Sequence, residues 1–227
     1  MKAYYAARAQ EYEQIYAKPE RQPDLRQLEG LIPQLLAGRR ILEVACGTGY
    51  WTQFLASTAT GILATDVNAE VLAVAAQKSL PTGQVRFQLE DAYAQAKPPE
   101  TPSRPDPSGH ATPPDSGFDA AFAGFWWSHL TRQDQQRFLA ALQTRLKPDA
   151  RVVLLDNRWV EGSSTPICER DADGNTYQLR HLADGSVHKV LKNFPQEADL
   201  VQATRAFGPA FHYQALPHFW VFGFVMA

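Results

Sequence analysis

The amino-acid sequence predicts a single α/β domain built on a doubly wound, mostly parallel β-sheet. A buried strand at 41–45 runs through a glycine-rich turn into a helix, and strands and helices then alternate as far as residue 155. Two strand-like runs close the chain without a helix between them. A length of 227 residues with 44% hydrophobic residues suits one domain with a sizeable core.

The first 37 residues precede this alternation and predict two helices. A short helix over 4–16 carries four side chains that share roughly one face: Tyr5, Arg8, Tyr12 and Tyr16. A second helix over 24–37 has one apolar stripe and a glycine stop at Gly38.

The alternating region predicts a parallel sheet with helices on both faces. The predicted strands are 40–45, 61–65, 84–89, 119–123 and 151–155, and the predicted helices are 50–57, 69–79 and 131–146. The last two runs, 211–216 and 218–226, are separated by Pro217 alone. They must pair antiparallel because no crossover helix fits between them.

Two segments fall outside this core. Residues 97–117 hold seven of the sixteen prolines and no apolar residue larger than alanine, so we expect a mobile loop before the fourth strand. Residues 166–192 contain Asp-Gly at 173–174 and at 184–185 around strand-like runs, which predicts a β-hairpin ribbon. Such a ribbon would lie over the carboxyl edge of the sheet, where open α/β sheets bind ligands.

The glycine-rich turn carries the strongest functional signal. Residues 41–51 read Ile-Leu-Glu-Val-Ala-Cys-Gly-Thr-Gly-Tyr-Trp. Gly47 and Gly49 permit positive φ and close ligand approach, and the following helix N-terminus can hold a polar group. A dinucleotide fingerprint would place glycine or alanine at position 52, where the chain has Thr52, and no Walker Gly-Lys-Ser/Thr sequence occurs.

An acidic residue, Glu43, followed by Gly-x-Gly at 47–49 resembles the first motif of the class I (Rossmann-like) S-adenosylmethionine (SAM)-dependent methyltransferases of the small-molecule type. The resemblance implies SAM as cofactor and a seven-stranded sheet in the order 3-2-1-4-5-7-6, with the last strand antiparallel. It also implies one methyltransferase domain over 1–227, organised as N-terminal lid helices (1–37), a SAM-binding core (38–156) with the inserted loop (97–117), the hairpin ribbon (166–192), and a C-terminal helix and hairpin (195–227).

The resemblance also assigns cofactor contacts at the ends of the strands. Asp66 ends the second strand about 20 residues after the glycine loop, where an acidic residue accepts the ribose hydroxyls. The expected cofactor residues are Tyr16, Glu43, Ala45, Gly47, Gly49, Asp66, Val67, Asp91, Ala92 and Phe125. Two alternatives remain open. Asp66 or Asn68 can cap the helix over 69–79, and Glu90 can replace Asp91 as the residue that hydrogen-bonds the adenine.

The residues after the fourth strand predict a substrate pocket. His129 is the candidate catalytic base because an ordinary imidazole titrates near neutral pH; the alternatives are substrate orientation and helix capping. The expected substrate contacts are Tyr5, Arg8, Tyr12, Trp126 and Trp127. An aromatic enclosure favours a flat aromatic acceptor or an amine, whereas the alternative for both tryptophans is core packing.

These features predict an enzyme that transfers a methyl group from SAM to an oxygen or nitrogen atom of a small molecule. The alternatives are methylation of a macromolecule (RNA or protein), a non-catalytic SAM-binding subunit and a nucleotide-dependent oxidoreductase. Asp156 ends the fifth strand without a second acidic cluster, so we expect no metal site. No Asn/Asp-Pro-Pro-Tyr motif follows the fourth strand, where Gly124-Phe125-Trp126 stands.

Charge and composition restrict the partners. The net charge is −2 and no lysine or arginine cluster occurs, so we expect no nucleic-acid partner. No apolar run reaches the roughly 20 residues of a membrane span, and the N-terminus lacks a signal-peptide core. Cys46 and Cys168 form no metal-binding spacing. We therefore expect a cytoplasmic monomer or homodimer without a membrane partner.

Overall fold

The computed structural model describes residues 9–94, 117–182 and 184–227, with side chains from residue 13 onward. Three of the predicted substrate contacts therefore lie outside the described residues, Tyr5 and Arg8 entirely and Tyr12 by its side chain. The predicted loop over 97–117 lies outside them as well, except for Gly117.

A seven-stranded sheet forms the centre of the molecule. Its strands are β1 (Arg40–Val44), β2 (Gly61–Asp66), β3 (Val85–Leu89), β4 (Phe118–Gly124), β5 (Leu146–Asn157), β9 (Ala210–Ala215) and β10 (Phe219–Val225). They lie in the order β3-β2-β1-β4-β5-β10-β9. The first five strands pair in parallel, and β10 pairs antiparallel with both β5 and β9. The predicted order is confirmed, since β9 and β10 are the sixth and seventh strands of this sheet.

Helices cover both faces of this sheet. They are α1 (Gln22–Leu35), α2 (Tyr50–Leu55), α3 (Ala69–Ala75), α4 (Arg132–Gln143) and α5 (Glu197–Thr204), with shorter 3₁₀ segments at Ala9–Tyr16, Pro19–Arg21 and Trp127–His129. Neighbouring residues of β1 face opposite cores, with Ile41 packing on the α1–α3 side and Leu42 on the α4–α5 side. Such two-sided burial is typical of parallel sheets. No helix among the described residues is long and apolar enough to cross a membrane.

The inserted ribbon has one strand more than the sequence predicts. Antiparallel strands β6 (Ile167–Arg170), β7 (Thr176–His181) and β8 (Val187–Leu191) form a separate three-stranded sheet in that order. All four residues of β6 are exposed, so this strand lacks the alternation of apolar and polar residues that sequence reading relies on. The turn over 171–174, where Gly174 has φ +82°, joins β6 to β7.

Candidate functional site

A first cavity of about 270 Å³ lies at the carboxyl ends of β1 to β4. Nine of the predicted site residues line it: Ala45, Gly47, Asp66, Val67, Asp91, Ala92, Phe125, Trp126 and His129. Ligands of open α/β sheets bind at this edge. The fold therefore brings together residues that are as much as 84 positions apart in the chain.

Asp66 joins the end of β2 to the glycine turn. The Gly47 N–H donates to Asp66 Oδ2 at 3.0 Å, and the Asn68 N–H donates to Oδ1 at 2.9 Å. Burial raises the pKa of Asp66, and these amide hydrogen bonds oppose the shift. No side-chain hydrogen bond caps α3, so the geometry does not support the capping alternative for Asp66 or Asn68.

The turn itself requires glycine. Gly49 begins α2 with φ +74°, and a Cβ atom added there would lie 3.1 Å from the Ala75 Cβ. A side chain at this position would strain the backbone and press on α3. Only a residue without a side chain therefore fits between the turn and α3.

Glu43 connects β1 to α2 beneath the turn. The carboxylate is 1% exposed, and the Thr52 hydroxyl donates to its Oε2 at 2.7 Å. Burial raises the pKa of Glu43 to about 8. Thr52 occupies the position where a dinucleotide fingerprint has glycine or alanine, and its hydroxyl is used here to satisfy a buried acid.

The residues that follow β1 and β4 have unusual backbones. Ala45 has φ +54° and Phe125 has φ +59°, values that residues with a Cβ atom rarely adopt. Strained backbone of this kind clusters at functional sites. Both residues line the first cavity.

Two buried polar atoms in the walls of this cavity lack a hydrogen-bond partner among the described residues. They are Asn68 Oδ1 and Trp126 Nε1. Buried polar atoms are nearly always satisfied in folded proteins, so these two suit a ligand with complementary polar groups. The sequence indicates Asn68 only as a helix cap, because no local pattern distinguishes a capping residue from one that contacts a ligand.

Of the two candidate adenine readers, Glu90 is already engaged. It forms a salt bridge with Arg145 and accepts a hydrogen bond from Gln88 Nε2 at 2.6 Å. Asp91 is exposed, and its Oδ1 accepts from the Tyr93 N–H at 2.9 Å. That contact leaves Oδ2 for a ligand and favours Asp91 over Glu90.

Comparison with known proteins agrees with this geometry. Residues 41–149 match a family model described as a methyltransferase domain. A structure described as the DhpI-SAH complex is 25% identical, covering 97% of this chain and 92% of that chain with a TM-score of 0.70. A DhpI-SAM-HEP complex is 24% identical over 97% and 94%, with a TM-score of 0.73. The N-methyltransferase NodS from Bradyrhizobium japonicum WM9 is 12% identical over 90% and 97%, with a TM-score of 0.58. No curated protein sequence matches.

The protein is a SAM-dependent methyltransferase with a Rossmann-like (class I) fold. The first cavity fits the cofactor for two reasons. The glycine turn admits a ligand close to the backbone, and Asn68 Oδ1 and Trp126 Nε1 lack a hydrogen-bond partner among the described residues. Among the described residues, no group of three or more His, Cys, Asp or Glu side chains is placed to hold a metal ion.

A second cavity of the methyltransferase, also about 270 Å³, adjoins the first. Phe125 and His129 line both cavities. The second cavity combines aromatic, cationic and neutral polar side chains: Tyr16, Phe194 and Phe219; Lys18, Arg21, Arg180 and Lys192; Asn157, Ser163, Ser164, Thr165 and Gln178. None of the four cations was predicted as a site residue.

His129 is a buried, neutral imidazole at the junction of the two cavities. Its Nδ1 lies 2.6 Å from the carbonyl oxygen of Leu191. A carbonyl only accepts, so Nδ1 carries the proton. Burial, together with the nearby charge of Lys192, lowers the pKa of His129 to about 3. The neutral form of the ring is therefore favoured at neutral pH, and the role of His129 as a base stays a prediction.

A buried ion pair lies beside this histidine. Lys192 Nζ donates to Asp156 Oδ1 at 2.8 Å and to Ser128 Oγ at 2.6 Å, and the Ser128 N–H donates to Asp156 Oδ2 at 2.9 Å. Although burial opposes it, the charge of Lys192 holds the pKa of Asp156 below its usual range. The pair attaches the end of β8 to the carboxyl ends of β4 and β5.

The N-terminal segment of the methyltransferase lies over the glycine turn. Tyr16 is 8% exposed, and its ring stacks on Tyr50 with centroids 3.6 Å apart. Glu13 accepts a hydrogen bond from the Thr48 hydroxyl at 3.0 Å. Tyr16, predicted as a cofactor contact, lines the second cavity and not the first.

The adjacent tryptophans have different surroundings. Trp126 lines the first cavity and packs against Tyr93 and Phe138. Trp127 is 1% exposed within the α4–α5 core; it lines neither of these two cavities but borders a third cavity of about 720 Å³. The 3₁₀ turn at Trp127–His129 thus separates the two indoles, and the role of Trp127 as a substrate contact stays a prediction.

Proposed function

We propose that this methyltransferase acts on an oxygen or nitrogen atom of a small molecule bound in the second cavity. The observation that carries the proposal is the shared wall, since Phe125 and His129 border both cavities. A donor in the first cavity and an acceptor in the second would meet there. A cavity of about 270 Å³ accommodates a small molecule or fragment and not a folded macromolecule.

We propose the following arrangement of the cofactor in the first cavity. Asp66 accepts the ribose hydroxyls, while Asp91 and the Ala92 amide read the adenine. Glu43 supports the turn over which the methionyl part lies, with Ala45, Gly47, Gly49 and Val67 supplying its walls. These roles agree with the burial of Asp66 and Glu43 and with the cavity lining.

The bound cofactor supplies an electrophilic methyl group on its sulfonium. The remaining contribution of the chain is alignment and exclusion of water, because an in-line displacement depends mainly on proximity. Tyr16, Phe125 and Phe219 form the apolar part of the second cavity and would exclude water there. We further propose that the residues up to 37, including Tyr5, Arg8 and Tyr12, act as the lid.

We propose that His129 positions the acceptor and does not remove its proton. The efficiency of a general base rises with its pKa, so a ring with a pKa of about 3 is a weak base at neutral pH. A working general base contributes about 10²–10⁴-fold, so we expect His129→Gln to lower turnover by less than about 100-fold. Steady-state kinetics over a pH range would test this.

The matched control for that experiment is His181→Gln, which changes an exposed histidine of β7. We expect wild type and His129→Gln to have pH profiles of the same shape. A loss of 1,000-fold or more (about the middle of the range for a base), with disappearance of an ionisation near pH 6.5, would show that His129 is the base after all.

The acceptor itself can be identified with isotopically labelled SAM. Cell extract separated into small-molecule, RNA and protein fractions would be incubated with the enzyme, and labelled products would be identified by mass spectrometry. We expect label in the small-molecule fraction. Label confined to RNA or protein would contradict the proposal, and SAM binding without transfer to any fraction would indicate a non-catalytic subunit.

A further inference from the structure

The second cavity holds an excess of positive charge. Lys18, Arg21, Arg180 and Lys192 line it, and no aspartate or glutamate in the described part of the chain does. Lys192 is neutralised by Asp156. Over the described residues, Lys18, Arg21 and Arg180 make no salt bridge. Because the chain as a whole has a net charge of −2, this excess is local.

Neutral oxygen atoms hold these cations in place. Arg21 Nη1 donates to Asn157 Oδ1 at 3.0 Å, and its Nη2 donates to Ser163 Oγ at 3.1 Å. Lys18 Nζ donates to the Ser163 carbonyl at 2.8 Å. Arg180 donates from Nη1 to Thr165 Oγ1 at 2.9 Å and from Nη2 to Gln178 Oε1 at 2.7 Å. Neutral groups therefore orient these side chains. The exposed Glu20 accepts from the Ser163 hydroxyl at 2.8 Å and forms no direct salt bridge with them among the described residues.

The partial burial of these cations is unfavourable in the absence of an anion. Burial lowers the pKa of Arg21; the charge of Glu20 raises it, and that of Arg180 lowers it. Burial and the charge of Arg21 likewise lower the pKa of Lys18, while Glu20 raises it. An anion between the cations would compensate for their burial and for the remaining repulsion.

We propose that the acceptor of this methyltransferase carries an oxyanion, a carboxylate or a phosphoryl group, which Lys18, Arg21 and Arg180 bind in the second cavity. The inference rests on the proposed function of that cavity. Guanidinium groups present paired N–H donors that match two oxygens of such a group. The same cations would repel an ammonium group, which disfavours the amine acceptor that the aromatic residues alone indicate.

Binding of small probes to the complex of the enzyme with S-adenosylhomocysteine tests this inference. Inorganic phosphate, acetate, acetamide and methylammonium would be titrated at constant ionic strength, with binding followed by NMR chemical shifts. We expect phosphate or acetate to bind and the neutral and cationic probes not to bind. Tighter binding of phosphate would indicate a phosphoryl acceptor, and tighter binding of acetate a carboxylate.

Variants show whether the named cations are responsible. Arg21→Gln and Arg180→Gln should each weaken binding of the anion by about tenfold or more, since each removes charged hydrogen-bond donors. Arg205→Gln removes the same charge from an exposed position beside α5 and should have no effect. Each cavity variant also loses hydrogen bonds to neutral groups, so its melting temperature and its binding of S-adenosylhomocysteine are measured to show that it is folded before the anions are compared.

Two results would overturn the inference: failure of both phosphate and acetate to bind, or equal loss of binding in Arg205→Gln and in the cavity variants. Calorimetry with S-adenosylhomocysteine separates these failures from that of the proposed function. If S-adenosylhomocysteine binds and the anions do not, the anionic acceptor alone is excluded. If S-adenosylhomocysteine does not bind, the proposed function fails as well.

Discussion

Replacing Asp66 with alanine is expected to weaken SAM binding by roughly 100-fold or more. The carboxylate is positioned by the Gly47 and Asn68 amides at the wall of the first cavity. Two hydrogen bonds from ribose hydroxyls to a charged acceptor contribute about 1.5 kcal/mol or more each, and each 1.4 kcal/mol is about a factor of ten. Isothermal titration calorimetry with SAM would measure the loss.

Glu70→Gln is the matched control, because Glu70 is an exposed acid in the first turn of α3. It should bind SAM like the wild type. Asp66→Asn should fall between wild type and Asp66→Ala, since its amide oxygen still accepts one hydrogen bond. Unchanged SAM affinity in a folded Asp66→Ala protein would show that Asp66 does not bind the cofactor.

The ligand-free protein is expected to lose stability between about pH 4.5 and pH 8 through Glu43. The pKa of this buried carboxyl is raised from 4.5 to about 8 in the folded state. Within that window the folded chain binds a proton that the unfolded chain has released. Unfolding therefore releases a proton, and the free energy of unfolding falls as the pH rises, at up to about 1.4 kcal/mol per pH unit.

Glu43→Gln isolates this contribution. The amide cannot ionise, and its oxygen can still accept the Thr52 hydroxyl. Urea unfolding of both proteins would be measured from pH 5 to pH 8. Over this range the free energy of unfolding of the variant should rise by several kcal/mol relative to that of the wild type. A constant difference between the two curves would mean that Glu43 keeps an ordinary pKa in the folded protein.

Much of the fold was predictable because the parallel strands have strong local signals. Three of them, β1, β2 and β4, are short apolar runs followed by a helical period, and Pro217 leaves only an antiparallel pairing for the last two strands. Strands are harder to predict from the sequence where buried and exposed residues do not alternate. The exposed strand β6 was missed for that reason, and β5 begins earlier than predicted, at Leu146 rather than at 151.

The cofactor side of the site was predictable because its residues follow the strands in a recognisable spacing. The acceptor side was not. Lys18, Arg21 and Arg180 come from segments more than 150 residues apart and meet through hydrogen bonds to Ser163, Thr165 and other neutral groups. No local pattern marks such residues. The place of Trp127 beside Trp126 predicted a common pocket, whereas the 3₁₀ turn sets the two indoles beside different cavities.

The left-handed conformation of Ala45 sets thermal stability against function in this enzyme. A residue with a Cβ atom gives up about 1–2 kcal/mol in that conformation, part of which glycine would recover. Selection on melting temperature alone would therefore favour glycine at position 45, whereas at Phe125, which shares the conformation, loss of the buried ring would outweigh the gain. Glycine at 45 would replace a fixed wall of the first cavity with a flexible peptide unit, so screens for higher thermal stability should leave Ala45 untouched.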